Sequence, residues 1–163
     1  MNVHAQIAGM PRLLRKLKVL PQAAQQEVRA VMAQQADELI GMMRRLAPVD
    51  SGDLRDSIGW AWGDKAPKGA MALATAGKGN LTITIYAGSS KAYYARWVEF
   101  GTQAHALGRG SDVSRRRGRQ TGPMHGGSPA QPFFFPSWRA MRKRIRKALR
   151  KASRDAARRV ASQ

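Results

Sequence analysis

The sequence predicts an α+β fold in which a long N-terminal helix and a basic C-terminal helix pack on a small, mostly antiparallel β-sheet. Two apolar periodicities with helical spacing indicate the helices, and an alternating run between them indicates the sheet. At 163 residues, the chain is long enough for one domain with a core and too short for two. We expect an N-terminal lead-in segment over residues 1–20 and a single domain over residues 21–163.

The first long helix is predicted from Gln22 to Leu46, where apolar residues recur three and four positions apart and the opposite positions are polar. Pro48 ends this helix, because the residue before a proline is disfavoured in helical geometry. The segment from Asp50 to Ile58 then predicts a turn and one short helical turn, which Asp50 and Ser51 are placed to cap.

The middle of the chain predicts strands. Residues 59–63 and 70–74 are short candidates, and residues 80–87 alternate with a period of two. This alternation places Leu81, Ile83 and Ile85 on one face and the threonines on the other. The apolar run Tyr93–Phe100 fits either helix or strand, and we expect a helical turn leading into a short strand that Gly101 ends.

The last third of the chain is predicted to be an extended loop over residues 103–130 and a basic helix over residues 137–161. The loop is rich in Gly, Ser and Arg, and a loop of this length is either functional or disordered when unbound. The helix carries one narrow apolar stripe, with Arg or Lys at most other positions.

The charge of the chain is concentrated in this last third. Lys and Arg number 29 against 10 Asp and Glu, giving a net charge of +19. From Gln103 onward there are 16 basic and two acidic residues, which is +14 of that total. Three interpretations stay open: a solvated helix face and loop, contacts with acidic protein surfaces, or sequence-independent contacts with the phosphates of double-stranded DNA.

The sequence contains no pattern typical of a catalytic, metal or cofactor site. There is no cysteine, and the three histidines lack the spacing of metal ligands. No phosphate-binding loop and no nucleophile elbow occur. We therefore expect no enzyme activity and no cofactor. No apolar run reaches the ~20 residues of a membrane helix and no signal peptide is recognisable, so we expect a soluble, cytoplasmically made protein that is not membrane-bound.

Two apolar segments stand out as candidate contact surfaces. Glu99 lies in the otherwise apolar run Trp97–Phe100, where a charge is costly unless it is paired. It is predicted either to face solvent from a strand or to form a salt bridge with an Arg of a neighbouring subunit. Phe133, Phe134 and Phe135 are bracketed by prolines, and three consecutive aromatic residues cannot all point inward. At least one is therefore predicted to be exposed for a contact.

Three blocks of the sequence, taken in order, resemble a known family. They are the run from Ala47 to Ile58 around Pro48, Asp50, Gly52, Leu54 and Ser57; the run from Tyr94 to Thr102; and the run from Gln131 to Pro136. This arrangement resembles the tail-completion, or head–tail joining, proteins of tailed double-stranded-DNA phages. In that group it is similar to the gene-ten-product-like family of Hong Kong ninety-seven-type phages, which is akin to the minor tail protein Z type.

The resemblance implies a structural protein of the virion neck, assembled in the host cytoplasm. Such proteins form rings, six-fold or twelve-fold, between the head–tail connector and the tail terminator or tail tube proteins, around the DNA channel. The family motif implies interface residues, which are Pro48, Asp50, Gly52, Leu54, Ser57, Tyr94, Trp97, Glu99, Phe100, Gly101, Thr102, Pro132, Phe133, Phe135 and Pro136.

The basic residues form a second candidate set. Contacts with channel DNA or with acidic surfaces of adjoining rings are expected from Arg115, Arg116, Arg117, Arg119, Arg142, Arg146 and Arg150. The long Arg/Gly loop and the strongly basic end depart from the family pattern. An alternative function, resting on charge alone, is a non-specific DNA-binding architectural protein. Within one subunit, the second and third blocks either pack on each other or form two halves of an interface between subunits.

Overall fold

Four helices and five strands make up the part of the chain that the computed structural model describes, which is residues 22–77, 79–106 and 124–162. In chain order they are α1 (Gln22–Leu46), α2 (Asp53–Asp56), β1 (Gly59–Trp62), β2 (Met71–Ala76), β3 (Ile83–Ala87), α3 (Ala95–Phe100), β4 (His105–Ala106), β5 (Met124–His125) and α4 (Phe134–Ala161). This arrangement confirms the predicted α+β class. The lead-in segment and the middle of the predicted loop lie outside the described residues.

The two long helices pack against each other in antiparallel orientation. Glu27 of α1 pairs with Arg159 near the end of α4, and Glu38 pairs with Arg144 near its start, at 3.0 Å. Helix α1 has the predicted bounds, whereas α4 begins at Phe134, three residues earlier than predicted. The predicted apolar stripe of α4 faces the core: Met141, Ile145, Leu149 and Ala156 are buried.

The main sheet has three antiparallel strands in the order β1-β3-β2, so β3 is central. Ile83 and Ile85 of β3 pair with Trp62 and Trp60 of β1. These side chains face the helices: the Trp60 indole donates a hydrogen bond to Asp37 of α1 at 2.7 Å. The guanidinium of Arg29 also lies 3.9 Å from the centre of the Trp62 ring. The sheet is thus attached to α1 along its β1 edge.

The alternation predicted for β3 is confirmed, although its threonine face is not exposed. Thr84 is fully buried, and its hydroxyl is satisfied there: it donates to the carbonyl of Gly63 at 2.7 Å and lies 3.1 Å from the hydroxyl of Thr75. Leu81 is buried as well, but it belongs to a 3₁₀ turn, Gly79–Leu81, that precedes the strand. A buried hydroxyl is tolerated where its hydrogen-bonding capacity is satisfied, as it is at Thr84.

The core lies between the sheet and the two long helices. Leu39 of α1, Ile85 of β3 and Leu149 of α4 are all buried and line the same small apolar gap of about 60 Å³. The core therefore draws on both ends of the chain and on its middle. Within the described ranges, no helix combines the length and apolar character needed to span a membrane.

The structure corrects two predictions on either side of Gly101. The run up to Phe100 is helical and contains no strand; an eight-residue apolar run does not distinguish the two by periodicity. The two described ends of the predicted 103–130 loop are paired with each other. Thr102 bridges Ser128, and β4 pairs antiparallel with β5 through His105 and His125. Residues 107–123 of this loop lie outside the described residues.

Candidate assembly interface

Helix α3 presents two different faces, one to the core and one to solvent. Ala95 and Glu99, four positions apart, are buried on the inner face. Trp97 and Phe100 are exposed by 49% and 45%, and Tyr93 just before the helix by 67%. We call Tyr93, Trp97 and Phe100 the aromatic face. Their spacing of four and three positions places them on one side of the helix.

The buried carboxylate of Glu99 joins α3 to the first turn of α4. It accepts hydrogen bonds from three consecutive backbone N–H groups, those of Phe133 at 2.8 Å, Phe134 at 2.9 Å and Phe135 at 3.1 Å. The N-terminus of a helix carries partial positive charge and favours a carboxylate. Glu99 is only 2% exposed, and these bonds offset the cost of burying its charge.

This arrangement accounts for all the backbone N–H groups at the start of α4 that have no partner within the helix. The first four N–H groups of a helix have no partner within the helix. At α4 three of them bind Glu99, and the fourth position is Pro136, which has no N–H. The backbone N–H of Gln131 adds a hydrogen bond to the carbonyl of Val98 at 2.8 Å. The second and third sequence blocks therefore form one joint within a single subunit.

The prediction that Glu99 faces solvent from a strand is wrong, whereas the salt bridge with an Arg of a neighbouring subunit stays a prediction. The Glu99 side chain does not face solvent, and it lies on a helix rather than on a strand. The carboxylate is enclosed by the backbone of its own chain and binds no Arg among the described residues. Of the two arrangements left open for these blocks, the structure shows the one in which they pack on each other.

Gly101 is required where the chain leaves α3. Its φ of 70° lies in the left-handed region. A Cβ atom at this position would also lie 2.8 Å from the carbonyl oxygen of Ser128 and 2.9 Å from the nitrogen of Ala130. Next to it, Thr102 and Ser128 exchange two backbone hydrogen bonds, and the Thr102 hydroxyl accepts a third from the Ser128 N–H. Glycine thus allows the segment after α3 to pass close to the segment before α4.

None of the three phenylalanines is fully exposed, although at least one was predicted to be. Phe133 and Phe134 are fully buried, whereas Phe135 is half-buried. The Phe135 ring lies edge-on to Phe100, with 5.9 Å between the ring centres. Phe135 therefore connects the buried joint with the aromatic face, and part of its ring is accessible.

The first sequence block is linked to α3 through Gly88, which contacts both. Leu54 is buried, and the Ser57 hydroxyl accepts a hydrogen bond from the Gly88 N–H at 3.0 Å. Gly88 packs closely on the start of α3, since a Cβ there would lie 3.4 Å from the Cβ of Ala95. Gly52 precedes α2 with a φ of 90°. It is the N-cap residue of α2, and no side chain caps this helix, so the capping role predicted for Asp50 and Ser51 is wrong. The Ser51 hydroxyl instead donates to the Asp53 carboxylate at 2.7 Å, and it accepts the Asp53 N–H at 3.3 Å.

The remaining motif residues are distributed around this centre. Pro48 is half-buried and Asp50 is exposed, in the connection between α1 and α2. Tyr94 is half-buried beneath Tyr93, whose ring centre lies 6.0 Å away, and Pro132 is exposed just before α4. These four residues do not converge on one site.

The predicted basic contacts fall into two groups. Arg115, Arg116, Arg117 and Arg119 lie outside the described residues. Arg142 and Arg150 are exposed on α4, and Arg146 is half-buried. Helical geometry places Arg142 and Arg146 on the flank of α4 away from α1, and Arg150 closer to the outward face. The part of the chain that the structure describes contains no group of three or more histidine or acidic side chains that could hold a metal ion.

The capping role of Glu99 was missed from sequence, although a signal for it exists. Residue Phe133 occupies the cap position of α4, and no Ser, Thr, Asp or Asn side chain caps the helix locally. A helix start without a local cap requires an acceptor from elsewhere in the chain. The missing local cap is the signal that a distant acceptor exists, but it does not indicate which one, since Glu99 lies 34 positions before Phe133.

Comparison with known proteins identifies one family. Residues 12–101 match the family described as "Bacteriophage HK97-gp10, putative tail-component", which is more than half of the chain. The match covers the first sequence block and most of the second, and it ends before the third. No curated protein and no solved structure matches the chain.

Proposed function

Because this chain belongs to the HK97 gp10-like family of bacteriophage tail components, we propose that it completes the tail and joins it to the DNA-filled head. In this proposal it is a structural protein of the virion neck. Copies of the chain form a ring around the DNA channel, six-fold or twelve-fold where the portal symmetry continues. The ring contacts the head–tail connector on one side and the tail terminator or tail tube proteins on the other.

The aromatic face is the observation that carries this proposal. Five large apolar side chains of the described residues are exposed, and three of them are Tyr93, Trp97 and Phe100. Tyr93 and Trp97 pack edge-on with 5.6 Å between ring centres, so they form a continuous surface. Aromatic residues are enriched in protein interfaces and often supply most of the binding energy. We infer that this face contacts another virion protein or a second copy of the chain.

The joint beneath the aromatic face supports an assembly role. Glu99 fixes α3 to α4 through three hydrogen bonds, and Gly101 allows the close return of the chain. A contact surface on a rigid element loses little conformational entropy on binding. In a ring the contact is heterologous, so this face meets a different surface of the next subunit.

We propose no catalytic activity for this chain. The alternative function, a non-specific DNA-binding architectural protein, depends on the basic charge and leaves the aromatic face unexplained. The two functions respond differently to salt. Binding through phosphate contacts weakens steeply as salt rises, whereas association through buried aromatic surface persists.

Light scattering at moderate and high salt, with and without tails, tests the neck function. We expect discrete rings, formed by the protein alone or when it is mixed with purified tails, and we expect them to persist at high salt. The Trp97→Ala variant should lose this association. The Leu46→Ala variant is the matched control, because Leu46 is 47% exposed and Trp97 is 49% exposed.

A protein that stays monomeric at every concentration and binds neither tails nor connector proteins would overturn the proposal. Equal loss of association in Trp97→Ala and Leu46→Ala would remove the aromatic face as its basis.

A further inference from the structure

The outward face of α4 carries an uninterrupted line of positive charge. Six exposed residues repeat at spacings of three and four, which places them opposite the apolar stripe that packs on the core. We call them the basic stripe: Lys143, Lys147, Arg150, Lys151, Arg154 and Arg158. At 1.5 Å per residue the stripe extends over about 22 Å.

The one acidic residue of α4, Asp155, is half-buried and forms no ion pair with the basic stripe in the described part of the chain. The ion pairs of α4 are formed by Arg144 and Arg159, on the flank that packs against α1. None of the six stripe residues forms an ion pair with a described residue. Like charges four positions apart on a helix repel each other. An anionic ligand bound along the basic stripe would therefore reduce the repulsion among its positive charges.

We propose that the basic stripe binds the phosphate backbone of double-stranded DNA, independently of sequence. This inference rests on the proposed function, in which the ring surrounds the DNA channel. Duplex DNA presents one charge per about 1.7 Å of its axis, so a 22 Å line of cations faces ample phosphate. Phosphate contacts need only charge and position, whereas sequence is read at base edges.

The composition of the stripe favours DNA over an acidic protein surface. Every exposed residue described on α4 is Lys, Arg or Ala, so the surface around the stripe offers no aromatic or large aliphatic side chain. Centres of protein interfaces are depleted in Lys and contain buried aromatic anchors, which this molecule carries on the aromatic face of α3 instead. The two surfaces thus suit two different partners.

Binding to a mixed-sequence duplex at a series of salt concentrations, followed by fluorescence anisotropy, tests the proposal. With six phosphate contacts, the slope of log K against log salt should be about −5. The K147Q/R154Q variant removes two stripe charges and should reduce the magnitude of this slope by about 2. The matched control R144Q/R159Q removes two charges from the α1 flank of the same helix and should leave the slope unchanged.

Three outcomes would overturn the proposal: no salt-dependent binding, equal losses in the two double variants, or equally effective competition by a polyglutamate of the same charge. The last would mean that the stripe responds to any polyanion. The oligomeric mass is measured on the same samples. Rings that form without binding duplex would refute this inference alone, whereas a protein that neither assembles nor binds tails would refute the proposed function.

Discussion

Helices α1 and α4 both pack their apolar faces into the core, but their outer faces differ in charge. They are 25 and 28 residues long and pack antiparallel over the same sheet. Helix α1 carries three acidic and three basic residues, so its net charge is zero, whereas α4 carries eleven basic residues and one acidic residue. A helix can therefore support this core without excess charge. The charge of α4 calls for an explanation outside the fold.

A similar contrast separates the two contact surfaces. The aromatic face lies on a short helix whose position is fixed by a buried carboxylate. The basic stripe lies on the exposed side of a long helix and has no partner among the described residues. A tail component contacts other proteins of the phage, and the neck function that we propose would add contact with DNA. The separation of apolar and charged surfaces is what these two kinds of contact require.

The largest expected effect tests whether the two helices contribute equally to the core. Leu39 of α1 and Leu149 of α4 are 2% and 5% exposed. Each leucine-to-alanine substitution should lower the free energy of unfolding by about 2–5 kcal/mol, because it removes buried methyl groups and leaves a cavity. Urea unfolding measures both variants. A loss of stability confined to Leu39→Ala would show that α4 is not an equal partner in the core.

A smaller effect tests the joint between α3 and α4. In Glu99→Ala, three backbone N–H groups lose their acceptor, and the free energy of unfolding should fall by about 3 kcal/mol. Glu99→Gln keeps one acceptor oxygen and loses the charge, so about 1–2 kcal/mol is expected. Glu38→Gln is the control, since it removes a more exposed ion pair worth at most about 1 kcal/mol. Thermal unfolding of the three variants ranks their losses of stability. Equal losses for Glu99→Gln and Glu38→Gln would contradict the role assigned to Glu99.

The smallest effect tests whether the charge of α4 is dispensable for folding. The K147Q/R154Q variant should change the free energy of unfolding by no more than about 0.5 kcal/mol, in the stabilising direction, because it relieves repulsion between like charges. Urea unfolding at low salt measures it. A clear loss of stability would mean that the basic stripe stabilises the fold. The charge of α4 would then need no explanation outside the fold.

Long, regular elements could be predicted from the sequence because their signal repeats many times. The apolar spacing over Gln22–Leu46 and the stripe of α4 each span several turns, and residues 80–87 alternate over a full strand. The start of α4 was misplaced because its cap is not local. The run up to Phe100 was too short for its period to distinguish helix from strand.

The candidate interface came from the family resemblance more than from periodicity. Trp97 and Phe100 were expected at an interface because of the family motif to which they belong, and both are exposed. The three consecutive phenylalanines predicted at least one exposed ring, whereas Phe135 is half-buried and the other two are buried. The environment of Glu99 could not be predicted, because its three hydrogen-bond donors lie 34 to 36 positions further along the chain. Periodicity and local capping rules describe neighbours within a few residues. Contacts between distant segments require the fold.

The most direct test of the neck function is the fraction of heads joined to tails in cells infected by phage that lack this gene. Electron microscopy of the lysate gives this fraction. The account predicts that separate heads and tails accumulate, that the wild-type protein supplied in trans restores joining, and that the Trp97→Ala variant does not. Complete virions in the absence of the protein would contradict the account.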